Sequence, residues 1–535
     1  MAITVMATVE KTNKVPTKIF ALCICFILMP IALAGEWTFT PSVGLTETFT
    51  DNVESRQLNQ KSSLVSHLII EANAEYKAKE AFFSFTGAET LASYSHNSDL
   101  NDDFQTVDLN GLVSLWSHGP QFIVSTEITN ISQNENDNAL SDLISGNTVQ
   151  HRRHTAGFQY NIDNSHHNLS SSLIYNIIDS EDGIGEQQGY DAIISSENGT
   201  SSRWIFWQIN GQFTNQENNR IKGNSYSIES KIGAVTSFNI NPFMRFYDED
   251  LSGELVQAKL NTTASWGPGI QWLIAKHLII DVSYNYVKDE LAKNDDYVAA
   301  TIDWQPSERT RLNAAYSQRF FGDSYNIDFQ HKTKRLQNAI SYNEVIEAFD
   351  RNSFEEQELG LFWCPISTQT SFTLEDCQAF LQDPSEAPAY QLTSFSNFVP
   401  VVNEEFSLNK RLTWASTLSL ARTTFSFVAS ARERETLNTA IIDDYLNVNF
   451  TVARQTSAKG ELSLRTGFNK NTFDKNNPLG ARQEDTYKTI STSYSRNLAS
   501  SLSTIFTLQF LDRKSSSEDR NYNEVRATLN ITKDF

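Results

Sequence analysis

The stretch NYNEVRATLNITKDF, Asn521 to Phe535, decides the fold. Val525, Ala527, Leu529, Ile531 and Phe535 are apolar, while Glu524, Arg526, Thr528, Asn530, Thr532 and Asp534 are polar. Alternation with period two is the mark of a β-strand with one apolar face. Such a strand at the end of a polar chain of 535 residues predicts the closing strand of a membrane barrel, with lipid outside and water inside.

The same alternation recurs along the chain. It is seen in Leu64, Leu68, Ile70, Ala72, Ala74 and Tyr76, in Leu278, Ile280, Val282, Tyr284 and Tyr286, and in Leu446, Val448, Phe450 and Val452. It returns in Leu462, Leu464 and Phe468 and in Leu502, Phe506, Leu508 and Phe510. Short turns are expected near 77–79, 117–120, 275–276, 305–307, 421–422 and 496–498. Longer polar stretches at 96–103, 132–150, 180–188, 214–223, 474–484 and 513–520 lie between them. Short turns at one rim and long loops at the other are the asymmetry of outer-membrane barrels. Counting strands back from Phe535 gives an antiparallel all-β transmembrane barrel of about 24 strands, within a range of about 20 to 26 and even in number, with both chain ends periplasmic.

Composition agrees. Only 39% of residues are hydrophobic, and no stretch after residue 34 holds the ~18 consecutive apolar residues of a membrane helix. Lys11, Lys14 and Lys18 precede an apolar run from Ile19 to Leu33 that ends in small residues at Ala32-Leu33-Ala34, the pattern of a cleaved secretory signal peptide over 1–34. The barrel is then 35–535, with 40 basic against 63 acidic residues and a net charge of −23, compared with −21 for the whole chain. That balance argues against nucleic acid as a partner. It suits either simple solubility or an outer surface where divalent cations bridge anionic lipid.

Four prolines, Pro365, Pro384, Pro388 and Pro400, break any strand pattern between about 348 and 400, so this segment reads as a long irregular extracellular loop. Cys364 and Cys377 lie in it and are the only cysteines left once Cys23 and Cys25 depart with the signal peptide. In an oxidising compartment they would pair as a disulfide contributing about 3 kcal/mol by loop closure. A zinc site is the weaker reading.

Motifs that announce metal, phosphate or acyl chemistry are missing: there is no H-E-x-x-H, no P-loop, no G-x-S-x-G and no EF-hand. Neither an enzyme nor a cofactor is therefore expected. His151-Arg152-Arg153-His154 is the sharpest remaining cluster, but on a strand its like residues point to opposite faces. A strand-mouth or lipid-phosphate contact is the favoured reading, ahead of an ordinary polar strand end and of metal or catalysis. His166-His167 falls in a turn.

Alternation places Glu71, Glu75, Arg153, Asp281, Arg311, Glu461, Arg465, Glu524 and Arg526 on the lumen face. Such charges form cross-strand ion pairs that fill the interior, or a ladder that guides a polar solute. The first reading is preferred. The nine Trp and many of the Tyr fall toward strand ends, as expected of interfacial girdles.

The segment Trp37 to Val53, WTFTPSVGLTETFTDNV, together with the ending from Ser493-Tyr494-Ser495-Arg496-Asn497-Leu498 through Asn521-Tyr522-Asn523-Glu524 to Phe535, resembles the outer-membrane β-barrel proteins of the PEP-CTERM/exosortase system. That resemblance implies a Gram-negative outer-membrane protein in exopolysaccharide or extracellular-protein export, a conduit or an accessory. The rivals are an uptake porin and a non-conducting barrel whose loops bind matrix polymer or a partner. The partners implied are outer-membrane lipid and lipopolysaccharide, the barrel-assembly machinery, and exopolysaccharide with its export proteins. The terminal Phe535 resembles the signal that assembly machinery reads. Deleting it is expected to abolish most heat-modifiable, membrane-inserted protein in cells, whereas insertion at the normal level would count against the terminal-strand reading.

Overall fold

The computed structural model describes residues 35–132, 143–144, 148–183, 185–218, 221–254, 262–288, 295–347, 353–365, 390–401, 406–476, 483–516 and 520–535, with only the backbone described for 353–365 and 390–401. The expected signal peptide 1–34 and Cys377 lie outside these residues, so the expected disulfide does too. Cys364 is in a strand.

Twenty-four strands close into one antiparallel sheet. In chain order they begin β1 (Glu36–Thr50), β2 (Ser63–Lys77), β3 (Ala81–Tyr94), β4 (Asp102–Ser114), β5 (Gln121–Ser132), β6 (Thr148–Asp163), β7 (His167–Ser180) and β8 (Gln187–Asn198). They continue with β9 (Ile205–Glu217), β10 (Lys222–Ala234), β11 (Ile240–Gly253), β12 (Thr262–Ala275), β13 (Leu278–Val287), β14 (Tyr297–Ser307), β15 (Thr310–Arg319), β16 (Gly322–Lys332) and β17 (Leu336–Glu347). After a separate hairpin, β18 (Ser353–Pro365) and β19 (Tyr390–Val401), come β20 (Ser407–Ser419), β21 (Thr423–Thr436), β22 (Ile442–Ser457), β23 (Gly460–Phe473), β24 (Gln483–Ala499), β25 (Leu502–Ser515) and β26 (Tyr522–Asp534). Each strand pairs with the next, β17 passes over the hairpin to β20, and β26 closes on β1 from Thr50↔Arg526 to Ser42↔Asp534.

Closure leaves no sheet edge, the condition for a strand protein to sit in lipid. The outward positions supply the apolar belt: Leu45, Ile70, Leu464, Ile490, Leu508 and Leu529 are all exposed. Aromatic residues border it. Trp37 lies on Tyr76 with ring centroids 4.8 Å apart near the rim that carries the chain ends, and the pairs Tyr175–Tyr190 (4.7 Å), Trp266–Tyr286 (5.3 Å) and Tyr316–Tyr325 (5.4 Å) border it above. A closed antiparallel barrel with this belt and these girdles is an integral outer-membrane protein.

The rim with the chain ends carries the short connections, among them two-residue turns at 276–277, 308–309, 458–459 and 500–501. A register shift precedes each of these four. Two of the shifts explain why turns expected at 305–307 and 496–498 fall later. The bulges leave Gln305-Pro306 and Leu498 out of the ladder within β14 and β24, so the strands run on. By the asymmetry of such barrels this rim is periplasmic, and the long connections 51–62, 254–261, 288–296 and 348–406 are extracellular.

The last of these differs from the irregular loop expected over 348–400, because it contains the β18–β19 hairpin. Pro365 is the final residue of β18, and Pro400 sits on a two-stranded sheet whose outer edges need no partner, so neither proline forfeits a ladder bond the fold requires.

The belt generates a direct test. Leu508→Arg puts a charge on the lipid face and is expected to cost about 2–4 kcal/mol. Thr507→Arg, one residue away and lumen-facing, should cost far less, both read by urea unfolding from lipid vesicles.

Candidate functional site: the lumen wall

Contacts between strands that are not neighbours identify the inner face, because only the concave side of a barrel lets them meet. Lys231 Nζ on β10 lies 2.9 Å from Asp281 Oδ2 on β13, and Arg245 Nη2 on β11 lies 3.2 Å from Ser317 Oγ on β15. Arg319 on β15 holds Glu249 on β11 through Nε at 3.1 Å to both carboxylate oxygens. The alternation through these residues fixes which positions line the lumen.

Local sequence explains how the wall folds so sharply here. Gly267 and Gly269 face inward on β12 opposite Arg245 and Phe243 of β11, and Pro268 between them has no N–H to donate. The β12–β13 ladder skips from Trp266↔Tyr286 to Gly269↔Ser283. A Cβ at Gly269 would lie 2.4 Å from the Phe243 ring, and one at Gly267 would lie 1.8 Å from the Tyr284 carbonyl oxygen. The inner face of β12 is therefore bare at these two positions, and the Arg245 side chain crosses it there. Arg245 donates to Glu229 at 2.6 Å and, beyond β12, to the Tyr297 hydroxyl at 3.0 Å.

Further buried pairs line the extracellular half of the remaining wall. They are Arg434–Asp443 at 3.2 Å, Arg513–Asp485 at 3.4 Å and Arg526–Glu524 at 2.6 Å, and the Thr50 hydroxyl also donates to Glu524. Removing one partner from a buried pair strands the other charge, so such pairs lock the arrangement even where their net contribution is small.

Apolar clusters pack at the same level. Leu251 at the top of β11 packs with Phe406, which leads into β20, with Ile221, Phe320, Ile346 and Leu437 around them. β12 to β17 separate β11 from β20 in the wall, so this contact bridges that part of the mouth. On the other side Val53, Val65, Ala92 and Tyr94 pack with Phe104 and with Ile144 of the β5–β6 connection, and the Tyr94 hydroxyl donates to the Leu143 carbonyl at 2.9 Å.

The periplasmic half is open and wet. Its inner surface includes neutral polar pairs across neighbouring strands: Ser493 with Thr507 (2.8 Å), Asn530 with Thr46 (2.6 Å), Thr86 with Asn73 (2.7 Å), Ser125 with Thr155 (2.7 Å) and Ser195 with Asn210 (2.8 Å). Thr86, Ser195 and Asn210 are exposed although they face inward, because the lumen there is not filled.

All nine charged residues assigned to the lumen by alternation lie on this inner parity, but they fall into three groups. Asp281, Glu524 and Arg526 are buried in the ion pairs above. Glu75 pairs with Lys77, and Glu71 accepts from Asn73 at 2.6 Å. Arg153, Arg311, Glu461 and Arg465 are exposed to the lumen and make no ion pair among the described residues.

The residues that sequence reading missed, Glu229, Lys231, Arg245, Glu249 and Arg319, carried a signal in the WGPG stretch at 266–269. Two glycines at inner positions around a proline mark a wall that others cross.

His151 and Arg153 face inward, His151 Nδ1 lying 3.0 Å from the Ser180 hydroxyl. Arg152 and His154 face outward, where Arg152 meets Asp179 at 3.3 Å and His154 Nδ1 meets Thr126 at 3.1 Å. His166 is in the turn before β7 and His167 begins that strand. Among the described residues no three His, Cys, Asp or Glu side chains are placed to hold a metal.

No protein-family model matches the chain, and no relative among curated proteins matches its sequence. Among solved structures it is similar to the siderophore receptor PirA from Acinetobacter baumannii, at 7% identity over 93% of this chain and 80% of that one with a TM-score of 0.42. It is similar to the FrpB iron transporter from Neisseria meningitidis, at 8% identity over 93% and 81% with a TM-score of 0.43. It is also similar to a loop L8 deletion mutant of OmpT, an outer membrane protein of Vibrio cholerae, at 7% identity over 94% and 100% with a TM-score of 0.33.

The crossing over β12 predicts a specific sensitivity. Gly267→Ala should destabilise the barrel by about 1–3 kcal/mol as an overpacked core does. Gly44→Ala, where a Cβ meets nothing closer than 3.6 Å, should be within about 0.5 kcal/mol of neutral. Denaturant unfolding of the refolded proteins compares the two.

Proposed function

We propose that this barrel is a conduit, or an outer-membrane accessory, for export of a hydrated polymer such as exopolysaccharide, in a PEP-CTERM/exosortase setting. One observation carries the reading: the lumen is open on the periplasmic side and lined there by hydroxyl and amide pairs with single charges of both signs among them, while on the extracellular side Leu251 of β11 packs against Phe406 ahead of β20. Loading from the periplasm is what export requires. Paired Ser, Thr, Asn and Gln offer many weak, interchangeable hydrogen bonds, so a hydrated chain would slide without being held at one point. The partners proposed are lipopolysaccharide around the belt, the barrel-assembly machinery, and the exopolysaccharide with its export proteins. No bond-making chemistry is assigned to the chain, and no cofactor.

The uptake-porin reading calls for a mouth open to the outside, which the packing of Leu251 against Phe406 does not favour. Planar-bilayer conductance of the refolded protein separates the readings. A conduit closed at the top should conduct poorly as isolated and several-fold more once Leu251→Ala and Arg319→Ala loosen the mouth, or once 350–398 is deleted. Large steady conductance in the unmodified protein would favour the porin. Silence in every form, with insertion verified, would make it a structural barrel.

A further inference from the structure

A charge on the lipid face is costly, and a lysine kept there near a rim carries its ammonium to the headgroup layer while its stem lies along apolar surface. At outward positions in the extracellular half, Arg152, Lys222, Lys410 and Lys470 each have a carboxylate within salt-bridge distance, Asp179, Glu217, Glu433 and Glu484. Lys488 on β24 and Lys514 on β25 also face outward, are exposed, and form no ion pair among the described residues.

Register brings Lys470 to them. Thr486 of β24 stands between Lys470 of β23 and Lys514 of β25, and Lys488 is the next outward residue on β24. Neighbouring strands lie about 4.8 Å apart, so the three stems rise around one threonine within roughly 10 Å. Asp512, the register partner of Lys488, makes no ion pair among the described residues. Three ammonium groups against Glu484 and Asp512 leave the patch net positive. On β11 to β17 the outward charges of the same half, among the described residues, are Asp248, Asp250, Asp323 and Glu344, all acidic.

Two further features adjoin the lysines. Toward the belt, Ile490 and Phe510, paired across β24 and β25, and Val525 of β26 are exposed on the lipid face. Toward the rim, Lys514 borders a cavity of about 430 Å³ whose lining includes Gln57, Gln60, Asp512, Asn521 and Asn523. Asp512, Lys514 and Asn523 are outward positions, and Gln60 of the β1–β2 connection donates to the Asn523 side-chain oxygen at 3.3 Å, so the cavity opens on the outer face.

We propose that this outer face of β23 to β26 is a specific seat for a phosphorylated glycolipid of the outer leaflet. Lys470, Lys488 and Lys514 take the phosphate as point charges. The side-chain amides around the cavity offer donors and acceptors to sugar hydroxyls, and Ile490, Phe510 and Val525 meet the acyl chains. Amides toward the rim, ammonium groups beside them and apolar side chains below match the sugar, phosphate and acyl parts of one molecule. The seat deepens the lipopolysaccharide contact proposed above and rests on it, but not on whether the barrel conducts.

The test is native mass spectrometry of the refolded barrel in detergent, with lipid A, phosphatidylglycerol and the chain-free glucosamine 1-phosphate as probes, each variant first shown to be folded by heat-modifiability. Lipid A should bind at least tenfold tighter than phosphatidylglycerol, and glucosamine 1-phosphate should not bind measurably. K488Q/K514Q, which breaks no ion pair among the described residues, should lose tenfold or more in affinity for lipid A. K488R/K514R should keep that affinity, and K222Q, on the outer face of β10, should leave it unchanged. Q57A/Q60A should lose several-fold for lipid A but nothing for phosphatidylglycerol. Undiminished lipid A binding in K488Q/K514Q, or an equal loss in K222Q, would overturn the seat while leaving glycolipid around the belt. Lipid A bound no better than phosphatidylglycerol would overturn the choice of a glycolipid, and glucosamine 1-phosphate bound as tightly as lipid A would make this a site for a soluble phosphosugar instead. No lipid A binding in any form would overturn the lipopolysaccharide contact itself, and the seat with it.

Discussion

Closure is the constraint from which the rest follows. In lipid every backbone N–H and C=O must be paired within the wall, so β26 has to find β1 across almost the whole length of the chain. Once twenty-four strands are committed to a ring, its girth is fixed, and side chains on opposite walls of a circular barrel that wide cannot meet. The interior must then stay wet or be drawn together. This barrel does both, one at each end.

The drawing together is polar at its root. Bare glycines on β12 let Arg245 lie across the strand, and the Arg245, Lys231 and Arg319 pairs tie β10 and β11 to β13 and β15. Apolar contacts complete it where Leu251 meets Phe406. Each buried charge among the described residues is matched, so breaking one of these contacts would release both members of a pair to water together rather than strand one in a dry interior.

Strand positions and facing were legible in the sequence because lipid and water write a period of two into every strand, from Leu64 to Phe535. Strand number was legible for the same reason. Turn positions were legible only to a few residues, since the bulges at Trp304/Ser307 and Asn497/Ala499 shift the register without altering composition. The hairpin of β18 and β19 escaped because its prolines sit where an isolated two-stranded sheet tolerates them. Alternation gives the face of a charged residue but not its partner. Asp281 was placed inward by parity, while its contact with Lys231, three strands away, depends on curvature that only the WGPG stretch hints at.

The most direct measurement is a cross-link across the mouth, in protein whose Cys364 and Cys377 are replaced by Ser, with Leu251→Cys and Phe406→Cys introduced together. Ser493→Cys with Thr507→Cys, a pair 2.8 Å apart on adjacent strands, serves as the positive control. The account predicts that mild oxidation of cells joins 251 to 406 as readily as it joins the control pair. A control that cross-links while 251 and 406 stay apart would mean that the mouth stands open, and the division into a packed outer half and an open inner half would be wrong.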